Sequence, residues 1–161
     1  MSDFPFDIPT VQPSSSSAAP APAFAAHSTT NINANPNTNL VYNTTTIGSD
    51  DFNGEYYTVP QDGLYQFNFS NYGARHSSSN SADVQMLVRR DRPIGGPFDY
   101  SIGYFYETQN PATGYVSGGF SMTARLLKDD KVFMKSLLGW AVFSFATGKS
   151  PCIFSGFYIS P

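Results

Sequence analysis

The sequence predicts an all-β chain, an antiparallel sandwich or jelly roll, and three observations carry that reading. Aromatic residues make up 16% of the 161 residues, 14 Phe and 10 Tyr among them, and such side chains suit pleated, half-buried surfaces. Charged residues amount to only 13%, about half the share of roughly 25% usual in soluble domains, which leaves little material for long solvated helices. Short runs of period two, separated by Gly, Asn, Ser and Asp clusters, recur down the chain, and no solenoid-type repeat competes with them.

Taken in order, residues 9–23 read Pro-Thr-Val-Gln-Pro-Ser-Ser-Ser-Ser-Ala-Ala-Pro-Ala-Pro-Ala, too poor in large apolar side chains to offset the entropy of ordering. Residues 1–20 are therefore expected to be a flexible Pro/Ser/Ala-rich leader or tether, and residues 21–161 one folded domain. Tyr65, Phe67 and Phe69 alternate with Gln66 and Asn68, the signature of a half-buried strand over residues 63–70, after a turn at residues 59–63. Val84, Met86 and Val88 repeat the pattern, and the charges and proline of Arg89-Arg90-Asp91-Arg92-Pro93 are expected to end pairing. Phe120, Met122, Ala124 and Leu126 form a third row. Lys128-Asp129-Asp130 then reads as the turn of a hairpin into Lys131-Val132-Phe133-Met134. Residues 153–159 supply the closing strand, while the apolar run at residues 137–145 is ambiguous between helix and strand.

Several function classes are excluded early. A net charge of −3 repels phosphates and argues against nucleic acid as a partner. The start, Met1-Ser2-Asp3-Phe4-Pro5-Phe6-Asp7, lacks the basic region and apolar run of a secretory signal. No stretch of about 18 apolar residues occurs, so membrane insertion by a helix is not expected. The single Cys152 forms no internal disulfide and no thiolate zinc site, and His27 and His76 are too isolated for a metal cluster. There is no Gly-x-Ser-x-Gly elbow, Walker A loop or His-Glu-x-x-His motif, which leaves catalysis only to groups assembled from distant strands, and no enzyme is expected.

Seven segments follow one another in a telling order: Pro22-Ala23-Phe24-Ala25-Ala26, Leu40-Val41-Tyr42-Asn43, Gly54-Glu55-Tyr56-Tyr57-Thr58-Val59-Pro60, Asp62-Gly63-Leu64-Tyr65-Gln66-Phe67-Asn68-Phe69, Val116-Ser117-Gly118-Gly119-Phe120, Leu127-Lys128-Asp129-Asp130-Lys131-Val132-Phe133 and Phe154-Ser155-Gly156-Phe157. This succession resembles the globular head domain of the complement component 1q family, a trimeric jelly roll related to tumour necrosis factor, over residues 21–161. The resemblance implies a homotrimer, an extracellular setting and structural positions for Gly63, Tyr65, Phe67, Phe69, Gly118, Gly119, Phe154, Gly156 and Phe157. Family members often carry a collagen-like stalk, and this chain has no Gly-X-Y run. Some relatives hold calcium through an Asp just before the Ser-Gly-Gly segment; Tyr115-Val116 stands there in this chain, so neither calcium nor any other cofactor is carried over. Composition points independently to self-association. A sandwich has two outer faces, a chain so poor in charge cannot solvate both well, and cyclic closure is the safe way to cover one with a copy.

Candidate binding residues each have a plainer reading beside them. Arg89, Arg90 and Arg92 form the one basic cluster; their guanidinium forks suit carboxylates, sulfates or acidic sugars, or they form a charged turn that blunts a sheet edge. Asp99 and Glu107 flank an aromatic loop at residues 100–106, in which Tyr104 and Tyr106 could stack on a sugar; the plainer reading is an edge strand with solvated acids. Trp140 is either a binding hot spot or a core or subunit-contact residue. Asn43-Thr44-Thr45 and Asn68-Phe69-Ser70 fit the N-glycosylation pattern, the second within a predicted strand. Together these features predict a non-enzymatic trimeric recognition head whose loops bind carbohydrate, a microbial surface or a protein. The alternative is a structural or adhesive trimeric knob of a matrix, virion or other assembly, and a cytokine-like ligand is a third reading.

Overall fold

The computed structural model describes residues 21–29, 32–33, 35–48, 50–74, 81–108, 115–137, 142–143 and 152–161. Its strands are β1 (Ala23–His27), β2 (Ile32–Asn33), β3 (Thr44–Ile47), β4 (Tyr57–Thr58), β5 (Gly63–Ala74), β6 (Ser81–Arg90), β7 (Phe98–Thr108), β8 (Tyr115–Leu126), β9 (Lys131–Ser136), β10 (Val142–Phe143) and β11 (Ile153–Ser160). They form two antiparallel sheets. In the larger, β8 runs along one edge of β5 from Gly63↔Leu126 to Ala74↔Tyr115. The other edge of β5 takes β11, followed outward by β1 and β3, and at its far end β10 and β2. The smaller sheet has the order β4-β9-β6-β7.

Period two decides which side chains fill the space between the sheets. Tyr65, Phe67 and Phe69 of β5 point inward, as do Phe24 and Ala26 of β1, Phe154 of β11, Val84, Met86 and Val88 of β6, and Val132 and Met134 of β9, all buried. The rings pack as a continuous aromatic layer: Phe24 lies 4.4 Å from Tyr57 and 4.8 Å from Phe154 between ring centroids, and Tyr65 lies 6.2 Å from Phe67. Gly156 has a direct steric reason to be glycine, because a Cβ there would sit 2.5 Å from the Phe67 ring and 2.8 Å from the Phe24 ring. Leu40 and Tyr42 add to the core from the segment between β2 and β3, where Leu40 N–H donates to Met134 O and Ser136 N–H to Thr38 O.

One expectation is corrected and two others are refined. The turn at residues 127–130 is not a hairpin: β8 pairs with β5, whereas β9 pairs with β4 and β6, so the turn carries the chain from one sheet to the other. Burial explains the crossing, since Leu126 before the turn and Val132 after it enter the same core from opposite layers. Pairing of β6 ends inside the charged segment, at Arg90; Arg89 and Arg90 still pair, opposite Asp99 and Phe98, with their charges answered by Asp99 and by Asp130 of the turn. Residues 100–106 form part of β7, the edge strand of the smaller sheet, which is the plainer of the two readings.

The leader and Trp140 lie outside the described residues. β1 is hydrogen-bonded on both sides, to β11 and to β3, so its neighbours leave no sheet position beside it for the preceding segment. A chain beginning at Ala21 is therefore expected to match the full chain in stability within about 0.5 kcal/mol by denaturant titration; failure to fold would assign the leader a structural part.

Candidate functional site

The two outer faces of the sandwich differ in chemistry. On the smaller sheet, Arg89 meets Asp99 across β6 and β7 through two bonds, Nε to Oδ1 at 2.8 Å and Nη2 to Oδ2 at 2.9 Å. The Arg89 guanidinium also lies 5.8 Å from the Tyr56 ring centroid and 5.4 Å from that of Phe133. Asn39 Nδ2 donates to Glu55 Oε1 at 2.5 Å and to the Tyr56 hydroxyl at 2.8 Å. The alternation of β9 also turns Lys131 and Lys135 to this face and buries Phe133 beneath its neighbours. This is a face built to meet water.

The outer face of the larger sheet carries few charges. Leu64, Gln66, Asn68 and Ser70 of β5 lie beside Ser121, Thr123 and Arg125 of β8, with Ser155, Phe157 and Ile159 of β11 and Ala23, Ala25 and His27 of β1 beyond. Among the described residues of these strands, Arg125 and His27 are the ionisable side chains there. Ser121 donates to Asn68 Oδ1 and Thr123 to Gln66 Oε1, each at 2.6 Å, which gives a ladder of neutral pairs. Phe157 and Ile159 are each 45% exposed.

The predicted binding residues do not converge. Arg89 is taken up by Asp99. Arg90 is taken up by Asp130, at 2.7 Å from Nε to Oδ1 and 2.5 Å from Nη2 to Oδ2, and by the Tyr100 hydroxyl at 3.2 Å. Arg92 leaves the sheet, and its guanidinium sits 3.6 Å over the Phe98 ring. Tyr104 and Tyr106 project side by side from β7, 51% and 53% exposed, with the Asp83 carboxylate near Tyr104. Six residues of strand separate Phe98 from Tyr104, roughly 20 Å, so Arg92 and the tyrosine pair cannot share a small ligand. What the sequence reading missed is the pairing of Arg90 with Asp130; a buried acid in a turn carries no local signal.

The family-motif residues take structural places. Gly63 opens β5, and Gly118 and Gly119 lie on β8, where a Cβ would meet the Phe105 ring and Phe69 O respectively. A Cβ on Gly103 would meet the Phe120 ring, so β7 and β8 pack closely, and their edges, open among the described residues, run along one side of the sandwich. Among the described residues no three His, Cys, Asp or Glu side chains gather to hold a metal, and no helix is long and apolar enough to cross a membrane. Cys152 is buried; burial pushes its thiol up to about 12, against a weak opposing contribution from the Tyr42 hydroxyl at 3.9 Å. Such a thiol carries almost no thiolate at neutral pH.

No protein-family model and no curated protein matches the chain. Solved structures do. The globular domain of zebrafish complement 1qA is 22% identical, with 86% of this chain and 97% of that one covered and a TM-score of 0.60. The fold is the complement 1q and tumour necrosis factor jelly roll. The Eiger tumour necrosis factor of S. frugiperda aligns at 10% identity over 88% of this chain and 94% of its own, with a TM-score of 0.59. Murine APRIL at pH 5.0 aligns at 10% identity over 86% and 99%, with a TM-score of 0.62.

The Arg89–Asp99 pair makes a pH prediction. The hydrogen bond from Arg89, against a smaller cost of desolvation, holds the Asp99 carboxyl below its ordinary value of 3.8. A depressed carboxylate stabilises the folded state above its unfolded pKa, and that stabilisation is lost as pH falls through the lower folded value, below about pH 4. Both partners keep about a third of their side chains in solvent, so Asp99→Asn is expected to cost about 0.5–1 kcal/mol at pH 7 and less as the pH is lowered below about 4, measured by urea titration across that range.

Proposed function

We propose that the chain is a non-enzymatic recognition head that works as a homotrimer in an extracellular setting. The contrast between the outer faces carries this reading: the smaller sheet is faced with ion pairs, the larger with neutral ladders, Phe157 and Ile159. The side formed by the open edges of β7 and β8 is the natural partner for that neutral face on a second copy. Side-on-face contact is heterologous, and three copies close it into a ring. The number three rests on the likeness to the complement 1q heads. A ring holds three equal sites in one orientation, and avidity then exceeds single-site affinity by roughly 10²–10⁴ where the geometry fits.

Ligand contact falls to the exposed Tyr104–Tyr106 pair, whose rings offer flat apolar surface beside the Asp83 carboxylate. Carbohydrate and protein surfaces both suit that chemistry. Light scattering is expected to show the mass of three chains across micromolar dilution, and Phe157→Asp the mass of one. A wild-type mass of one chain overturns the reading. On a glycan and protein array the trimer is expected to select defined ligands and to lose them with Tyr104→Ala and Tyr106→Ala; a trimer that selects none is the structural knob instead.

A further inference from the structure

We propose that Asn43 is a glycan acceptor and that Asn68, which also stands in an Asn-x-Ser/Thr sequence, is not; this rests on the extracellular reading above. Asn43 is exposed, in the bend between buried Tyr42 and the first residue of β3. Its Oδ1 accepts from Thr29 N–H at 2.9 Å and from the Thr29 and Thr44 hydroxyls at 3.3 Å each, so the side chain is anchored by its oxygen to the end of β1. The strand that follows has a particular need of cover. Among the described residues β3 is the outermost strand on its side of the larger sheet, and its Thr44-Thr45-Thr46-Ile47 carries no charge and no proline. Val41, ahead of the strand, and Ile47, its last residue, are 55% and 58% exposed.

An uncharged open edge is a template for pairing with another chain. A bulky hydrated glycan at the head of that edge supplies the protection that the sequence of β3 lacks. Asn68 has the opposite setting. It lies mid-strand on β5, between β8 and β11, its Oδ1 takes the Ser121 hydroxyl at 2.6 Å, and it faces the neutral surface assigned to a second copy. A glycan there would displace that pair and stand in the subunit contact, so chains carrying one would be lost from the assembled form.

The chemistry needs a lipid-linked oligosaccharide diphosphate as donor. The bond from the sugar C1 to the diphosphate oxygen breaks, a bond from C1 to Asn43 Nδ2 forms, one amide proton passes to solvent and the lipid diphosphate leaves. Thr45, two residues on, completes the acceptor sequence.

The test is to carry the full chain through a eukaryotic secretory pathway and analyse the secreted product. One mobility step removable by peptide N-glycosidase is expected, with the sugar on the Asn43 peptide by mass spectrometry. Asn43→Gln and Thr45→Ala should each abolish the step, the second while keeping the Asn43 amide and its bonds, and Asn68→Gln should leave it. A secreted chain without sugar at Asn43, or trimers with sugar at Asn68, would overturn the assignment. Light scattering on the same material separates the two readings: sugar at Asn43 on particles of one chain removes the trimer and leaves the acceptor standing. Thr45→Ala should also raise the fraction of higher aggregates over wild type, and an unchanged fraction removes the protective role.

Discussion

Arg90→Ala is expected to destabilise the fold by about 3 kcal/mol, the lower end of the range for removing one member of a buried ion pair. The lower end applies because Arg90 keeps 29% of its side chain in solvent while Asp130 keeps 2%. Truncation leaves the Asp130 carboxylate with the Leu127 N–H at 2.9 Å as its remaining side-chain hydrogen bond among those described, in a site water barely reaches. It also removes the guanidinium 5.7 Å from the Tyr100 ring centroid. Arg90→Lys should recover only part of the loss, since an ammonium cannot span both carboxylate oxygens as the planar fork does. Replacing both members together, Arg90→Met with Asp130→Asn, should cost less than Arg90→Ala alone, because no full charge is left buried. Urea midpoints of the three variants check the order, and a midpoint for Arg90→Ala equal to wild type would show the pair to be solvated.

Phe67→Ala is expected to cost about 3–5 kcal/mol, as for an aromatic truncated in a packed core. Phe67 is fully buried, and its ring centroid lies 6.1–6.3 Å from those of Phe24, Tyr57, Tyr65 and Phe154. The ring lies over Gly156, a residue with no side chain to swing into the vacated space, so the cavity cannot collapse from that side. Gln66→Ala, one residue away on the neutral outer face, should cost less than 1 kcal/mol in the isolated chain. An unchanged midpoint for Phe67→Ala would mean the strand is displaced by one residue, which would turn every side chain of β5 to the other face.

Much of the fold was legible because its signal is local. Alternation at Tyr65, Phe67 and Phe69, at Val84, Met86 and Val88, and at Phe120, Met122, Ala124 and Leu126 depends only on neighbours two apart, and each row faces the core. The candidate site was less legible. The three arginines read either as an anion-binding cluster or as a charged turn at a sheet edge, and the sequence could not show that two of them are occupied, because Asp99 and Asp130 stand 10 and 40 residues away. At residues 100–106 the sequence offered a loop or an edge strand, because the alternation changes phase there: Met86 and Leu87 face Gly103 and Ser101, which leaves Ile102 as the extra residue of a bulge in β7.

By itself, then, the sequence determined that this chain is built of strands, which residues of the clearest strands face inward, and that its surface is short of charge. Strand identity and facing follow from the two-residue period of an extended backbone, and charge follows from composition, neither of which needs to know what lies across the molecule. Only the tertiary structure decided that the turn at residues 127–130 crosses between sheets, that Arg89 and Arg90 are spent inside the domain, and that the missing charge is missing from one face alone. The physical reason is the same in each case. Hydrogen bonds, ion pairs and burial are made between residues far apart in the chain, and one turn sequence serves a hairpin or a crossing until the core shows which sheet each strand must join.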